Sequence, residues 1–184
     1  MTGEFSIEEL EEQIPELNMG AKYEHQVLIF KIAHQLYSQL EDRNCDILGG
    51  TYLFLELSYE EYVKDRIKAL NNKDVYEEPD LMVICEKSNI QIREGRVFGV
   101  PRFIIEVLSP STSANDTLDK KIKYQKSGVE EYWIIDISKK KIYQHLLQQD
   151  YRINVFSGNP ITVPISIFNN EVSIIINWDS LIRF

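Results

Sequence analysis

At 184 residues with 43% hydrophobic content, the chain has the material for one ordinary globular domain, residues 1–184, with a sizeable core. No stretch approaches the roughly 18 consecutive apolar residues of a membrane span, and MTGEFSIEEL has neither the basic nor the apolar region of a signal peptide. A cytoplasmic protein with no membrane partner is therefore expected. The net charge of −9 weighs against nucleic acid, because phosphate binding draws on Lys and Arg. Its distribution softens that objection. The acidic segment 1–20, with Glu4, Glu8, Glu9, Glu11, Glu12 and Glu16 and no Lys or Arg, accounts for −6 of that net charge and the rest of the chain for only −3. Between Asp119 and Arg152, Lys120, Lys121, Lys123, Lys126, Lys139, Lys140, Lys141 and Arg152 outnumber five acids. Cys45 and Cys85 are the only cysteines, and Cys85 lies in an apolar run, so free buried thiols are expected rather than a disulfide.

Ser6 and Glu9 have the form of a capping box, opening a short acidic helix before Pro15. From Lys22 to Glu41, Leu28, Ile29, Ile32, Leu36 and Leu40 recur at helical spacing and predict a long amphipathic helix. Ile47 to Leu57 reads as a strand bent near Gly49 and Gly50. Tyr59, Val63, Ile67 and Leu70 suggest a helix capped by Ser58, with a long strand excursion as the alternative.

DLMVIC after Pro79 and RFIIEVLS are continuous apolar runs that predict buried strands, joined by a connection short enough to favour antiparallel pairing. Pro110 ends the second strand, Thr112 to Asp116 offers caps for a helix to about Ser127, and Gly128 stops it. EYWIIDI is another buried strand. KIYQHLL, YRINVFS, ITVPISIF and EVSIIIN then predict a peripheral β-meander, closed by a short helix around WDSLIRF. The sum is an α/β domain whose central sheet is covered by the Lys22–Glu41 and Thr117–Ser127 helices.

Two carboxylates interrupt the apolar strands: Asp80 heads DLMVIC and Glu106 sits inside FIIEVLS. Burying an ionised carboxylate costs several kcal/mol unless something meets it. If the strands are neighbours, the two can converge on one hard cation, Mg²⁺ or Mn²⁺, with water completing the shell; a structural salt bridge or a sheet-edge position is the alternative for each. Asp116, Lys120 and Tyr124 share one helix face, and a lysine beside such a site can orient water and offset phosphate charge. The same ladder also occurs on ordinary exposed helices. His25, one turn before Leu28 and Ile29, should face the core, as a hydrogen-bonded inward histidine or as a group near the metal. The Lys139–Lys141 run reads first as a solvated surface. No glycine-rich phosphate loop, G-x-S-x-G or H-E-x-x-H is present.

The ordered series E-P-D-L-M-V-I at 78–84, P-R-F-I-I-E-V-L-S-P-S-T at 101–112, D-x-x-x-K-x-x-x-Y at 116–124 and G-V-E-E-Y-W-I-I-D at 128–136 closely resembles the Uma family of bacterial endonucleases. That family belongs to the PD-(D/E)XK restriction-endonuclease-like superfamily. The resemblance implies a restriction-endonuclease-like α/β fold, a central mixed β-sheet flanked by helices with a C-terminal β-meander. It also implies divalent-metal-dependent hydrolysis of DNA, with Asp80 and Glu106 as metal ligands and the carbonyl of Val107 as a further one. Leu108 stands where the superfamily pattern has its lysine, and Lys120 matches the family's helix lysine and takes that role. His25, Ser109, Ser111 and Tyr124 become supporting or substrate-contacting positions.

Two rivals remain at this stage. One is a catalytically inactive nuclease-fold module for nucleic-acid or protein binding, which a Lys120 turned to solvent would favour. The other is a structural protein whose Asp80 and Glu106 are paired with Arg or Lys, Arg102 being the nearest in sequence. Open strand edges would also allow a two-fold homodimer.

Overall fold

The computed structural model describes residues 19–72, 75–85, 90–108 and 114–182, so the Ser6–Glu9 capping box, Ser109, Pro110, Ser111 and Thr112 lie outside the described residues. Helix α1 (Met19–Leu40) covers the predicted amphipathic segment. Ile29, Ile32, Leu36 and Leu40 are buried, and Leu28 packs beside them. Each such side chain contributes roughly 1.5–3 kcal/mol of apolar burial, which holds the helix on the sheet.

Strands β1 (Cys45–Leu48), β3 (Leu81–Cys85), β6 (Phe103–Val107), β7 (Glu131–Asp136), β8 (Lys141–Leu146) and β9 (Ile153–Ser157) form one six-stranded sheet in the order β1-β3-β6-β7-β8-β9. The pairing of β3 with β6 is antiparallel, as the short connection predicts, with Leu81 opposite Ile105. Strands β6 and β7 run parallel, Phe103 opposite Glu131 and Val107 opposite Ile135. The intervening helix α4 (Ala114–Ser127) supplies the crossover that a parallel pair requires. Gly128, with φ of 88°, follows its last residue, the left-handed conformation common just past a helix end.

Strands β3, β6 and β7 are buried on both faces, which is why they read as unbroken apolar runs. Leu81, Val83, Phe103, Ile105, Val107, Trp133 and Ile135 meet α1 on one face. Met82, Ile84, Ile104, Tyr132 and Ile134 point to the other, against Tyr124 of α4. Alternation therefore puts Glu106 on the α4 face.

Four details differ from the sequence expectation. Cys45 and Cys85 form a disulfide, because antiparallel β1 and β3 place them directly opposite, their Cα atoms 4.2 Å apart. The Ile47–Leu57 strand divides at the glycines: Gly50 has φ of 64°, and β2 (Leu53–Phe54) leaves the main sheet for a three-stranded one in the order β2-β5-β4, with β4 (Gln91–Arg93) and β5 (Arg96–Phe98). The helix capped by Ser58 is two short ones, α2 (Tyr59–Lys64) and α3 (Arg66–Asn71). Asp65 accepts the Lys68 N–H and starts the second; in the first, Tyr62 rather than Val63 turns inward onto Phe54 and Phe98, and Ile67 of the second is exposed. Finally, the C-terminal strands split. Strands β8 and β9 extend the central sheet, whereas β10 (Ile161–Ile165) and β11 (Val172–Ile176) form a hairpin beside α1. Helix α5 (Trp178–Ile182) closes the chain where predicted. No helix among the described residues is long and apolar enough to cross a membrane.

Candidate active site

The register of β3 on β6 brings the entry of one strand beside the exit of the other, so Asp80 and Glu106 open into one cavity of about 150 Å³. His25, Val107, Leu108, Thr117, Lys120 and Tyr132 complete its lining. Each side chain is fixed by its own element. Asp80 Oδ2 accepts the Val107 N–H at 2.7 Å, which ties the β3 entry to the end of β6. Gly49 packs against the same corner: a Cβ there would stand 2.4 Å from the Asp80 carbonyl oxygen, so only glycine fits without a shift.

From α4, Lys120 and Tyr124 reach the same atom. Lys120 Nζ donates to Glu106 Oε1 at 3.0 Å and the Tyr124 hydroxyl donates to it at 2.9 Å. The four-residue spacing read in the sequence is what stacks these two groups on one helix face. Lys123 faces away and pairs with Glu77 at 2.6 Å. From α1, His25 Nε2 lies 2.8 Å from the Val107 carbonyl oxygen and 3.5 Å from Asp80 Oδ2. A carbonyl only accepts, so Nε2 carries the proton.

Electrostatics follow the burial. Glu106 is pushed up to about 7, first by burial and also by the neighbouring Asp80 charge, against the Lys120 ammonium and the Tyr124 hydroxyl. Burial likewise raises Asp80, opposed by the Val107 N–H and by His25 and Lys120. Tyr124 is held well above its ordinary value, chiefly by burial and then by Glu106. Two carboxylates thus share one cavity with the Lys120 ammonium.

That donor set suits a hard divalent cation. Two carboxylates and one backbone carbonyl are oxygen ligands, and Mg²⁺ usually takes one or two carboxylates with waters and substrate phosphate for the rest. Among the described residues no group of three or more His, Cys, Asp or Glu is arranged to hold a metal ion by itself, so a cation here would draw on the two carboxylates, the Val107 carbonyl and water.

The structure brings together Asp80, Glu106, Val107, Lys120, His25 and Tyr124, all expected from sequence; Ser109 and Ser111 lie outside the described residues. Arg102 does not approach Glu106. It forms a two-pronged pair with Glu130, at 2.6 and 2.9 Å, and donates to the Ile167 carbonyl. Sequence reasoning missed Thr117 and Tyr132 as lining residues. The strand alternation held the signal for Tyr132, since it stands opposite Ile104, on the sheet face that carries Glu106.

Comparison with known proteins bears on the fold and the family. A crystallised protein from Anabaena variabilis, described as a putative nuclease belonging to DUF820, shares the fold with a TM-score of 0.61. The two sequences are 20% identical, and the match covers 86% of this chain and 79% of the other. No curated protein matches the sequence significantly. Residues 3–174 match the model of the family Uma2, described as "Putative restriction endonuclease". A match over nearly the whole chain, on a nuclease-like fold, places this protein in the Uma2 family.

Proposed function

We propose that the chain is a divalent-metal-dependent DNA endonuclease in which Asp80, Glu106 and the Val107 carbonyl hold Mg²⁺ or Mn²⁺ and Lys120 is the catalytic lysine. The observation that carries this reading is the 3.0 Å contact from Lys120 Nζ to Glu106 Oε1 inside the cavity that Asp80 shares. A lysine turned to solvent would have favoured an inactive module; this one is within hydrogen-bond reach of the carboxylate. The ion pair alone also meets the structural rival's expectation for Glu106, but Asp80 is met by the Val107 N–H and His25 and forms no Arg or Lys ion pair among the described residues.

When bound, the cation supplies Lewis acidity toward a phosphodiester and toward water. The chain's own residues do the rest. Asp80, locked by the Val107 N–H, and Glu106, locked by Tyr124, present their oxygens into the cavity without needing to reorganise. The Lys120 ammonium sits where it can donate to an attacking water and offset charge growing on the phosphate. His25 keeps the Val107 carbonyl oriented. Leu108 stands where the superfamily pattern has a lysine, and the α4 lysine, Lys120, lines the same cavity.

The test is cleavage of supercoiled plasmid by purified protein with Mg²⁺ or Mn²⁺, beside Asp80→Asn, Glu106→Gln and Lys120→Met. Wild-type cleavage with a loss of about 100-fold or more in each variant is expected, the scale on which a single preorganised electrostatic group acts. Cleavage that survives both carboxylate substitutions would overturn the assignment.

A further inference from the structure

The sheet topology places one more feature at the edge that carries the candidate site. Strands β6 and β7 are parallel and in register, Val107 opposite Ile135, so both exit at the same edge, where β3 enters at Asp80. The turn that follows β7, residues 137–140, therefore projects from that edge, one to two strand spacings from Glu106. At about 4.8 Å per strand that is on the order of 10 Å sideways. This turn and the first residue of β8 hold Lys139, Lys140 and Lys141 in succession.

The turn is built rather than loose. Asp136, nearly inaccessible to solvent, accepts from the Ser138 hydroxyl at 2.6 Å and the Lys139 N–H at 3.0 Å. Lys140 adopts φ of 51° as the chain reverses. The lysine heads stay at the surface, Lys139 63% and Lys140 45% exposed by side chain. Lys139 Nζ lies 3.0 Å from Asp136 and Lys140 Nζ 4.0 Å from Asp179. The Lys140–Asp179 pair, exposed on both sides, is worth about 0–1 kcal/mol, so a phosphate can displace it; the buried Asp136 keeps the Ser138 hydroxyl and the Lys139 N–H as donors if the exposed Lys139 head turns to a phosphate.

We propose that the β7–β8 turn, through Lys139, Lys140 and Lys141, grips the sugar–phosphate backbone of the DNA strand on one side of the phosphate held at Asp80 and Glu106. The charge complementarity is local: a chain of net charge −9, with two carboxylates at its cavity, presents three consecutive cations along the same edge. Backbone contacts of this type fix the register of a duplex and carry no sequence information. The inference rests on the nuclease reading above for its choice of polymer.

The experiment is fluorescence anisotropy of a labelled DNA duplex, with Ca²⁺ present in place of a cleaving cation, across a series of salt concentrations. Wild type is compared with the double variant Lys139→Ser/Lys140→Ser and, as a control of equal charge change, Lys64→Ser/Lys68→Ser on α2 and α3. The turn variant should bind at least about tenfold more weakly near 0.1 M salt, with a salt slope shallower by about 2, roughly one unit per lost phosphate contact. The control should keep the wild-type slope, and melting temperatures should match. On plasmid, the turn variant should raise KM with kcat little changed. Wild-type affinity and slope in the turn variant, or an equal loss in both variants, would overturn the proposal while leaving the nuclease reading standing. Turn-dependent DNA binding by a wild type that cuts nothing would do the reverse. A wild type that binds no DNA would sink both.

Discussion

Glu131 offers the sharpest test of how the C-terminal strands are held to the sheet. Its carboxylate has no solvent exposure and receives four donors. Oε1 accepts from Trp133 Nε1 at 2.7 Å and Gln144 Nε2 at 2.8 Å; Oε2 accepts from the Ser166 N–H at 2.7 Å and the Ile167 N–H at 3.2 Å. Glu131→Ala removes both acceptor oxygens and leaves four donors without them. A buried donor left unpaired costs about 1–3 kcal/mol; with half of the four finding other partners, the loss comes to about 4 kcal/mol, much of a typical stability of about 5–15 kcal/mol. Glu131→Gln keeps the volume and one acceptor oxygen but turns an NH₂ toward two of the donors, for a loss of about 2–3 kcal/mol. Urea unfolding followed by the fluorescence of Trp133 and Trp178, with free energies by linear extrapolation, reads both. A loss below about 1 kcal/mol for Glu131→Ala would refute the claim that this carboxylate pins the hairpin of β10 and β11 to the sheet.

Three further outcomes follow from the site. Because burial lifts Glu106 to about 7 from an ordinary value of 4.5, the folded protein holds that proton more tightly than the unfolded chain. The metal-free protein should therefore be most stable below about pH 4.5 with respect to this group and lose on the order of 3 kcal/mol as pH rises through 7. Asp80, raised in the same direction, adds to the trend. Melting temperature against pH checks it, and Glu106→Gln should flatten the slope; an unchanged slope contradicts the assignment. Tyr124→Phe removes a hydroxyl donated to Glu106 Oε1 without changing the packing. An NMR titration of Glu106 should then move up by about one unit or more, since hydrogen bonds to charged groups are worth about 1.5–3 kcal/mol; a downward shift or none counts against the contact. Gly49→Ala forces a Cβ against the Asp80 carbonyl and within 3.2 Å of Leu81 Cδ2. It should cost about 1–3 kcal/mol in thermal unfolding and reduce plasmid cleavage even where the variant is fully folded. Wild-type cleavage in that variant would show that the corner tolerates a shift of Asp80.

Much of the site was legible because its residues violate local rules. Asp80 and Glu106 stood out as charges in apolar strands, and Lys120 and Tyr124 as a four-residue pair following them. What escaped depends on pairings that no local pattern encodes. Glu131 read as one more strand residue, since its partners lie 2, 13, 35 and 36 positions away. The disulfide joins residues 40 apart whose opposition appears only once β1 is laid on β3. The apolar spacing of Tyr59, Val63, Ile67 and Leu70 suggested one helix, but the Asp65 cap starts a second one, and in the first the buried residue is Tyr62. Strands β8 and β9 looked peripheral by their alternation. Their place in the main sheet follows from the pairing of β8 with β7, which buries Gln144 and His145.

The bond from His25 to the Val107 carbonyl spans 82 residues. On the ribosome, the first described helix emerges long before β6, and its stripe can meet only β1 and β3 until then. Closing so long a loop is slow relative to local helix formation. The pocket therefore draws its walls from positions 25 to 132, and no amino-terminal fragment that ends before Tyr132 contains all of it.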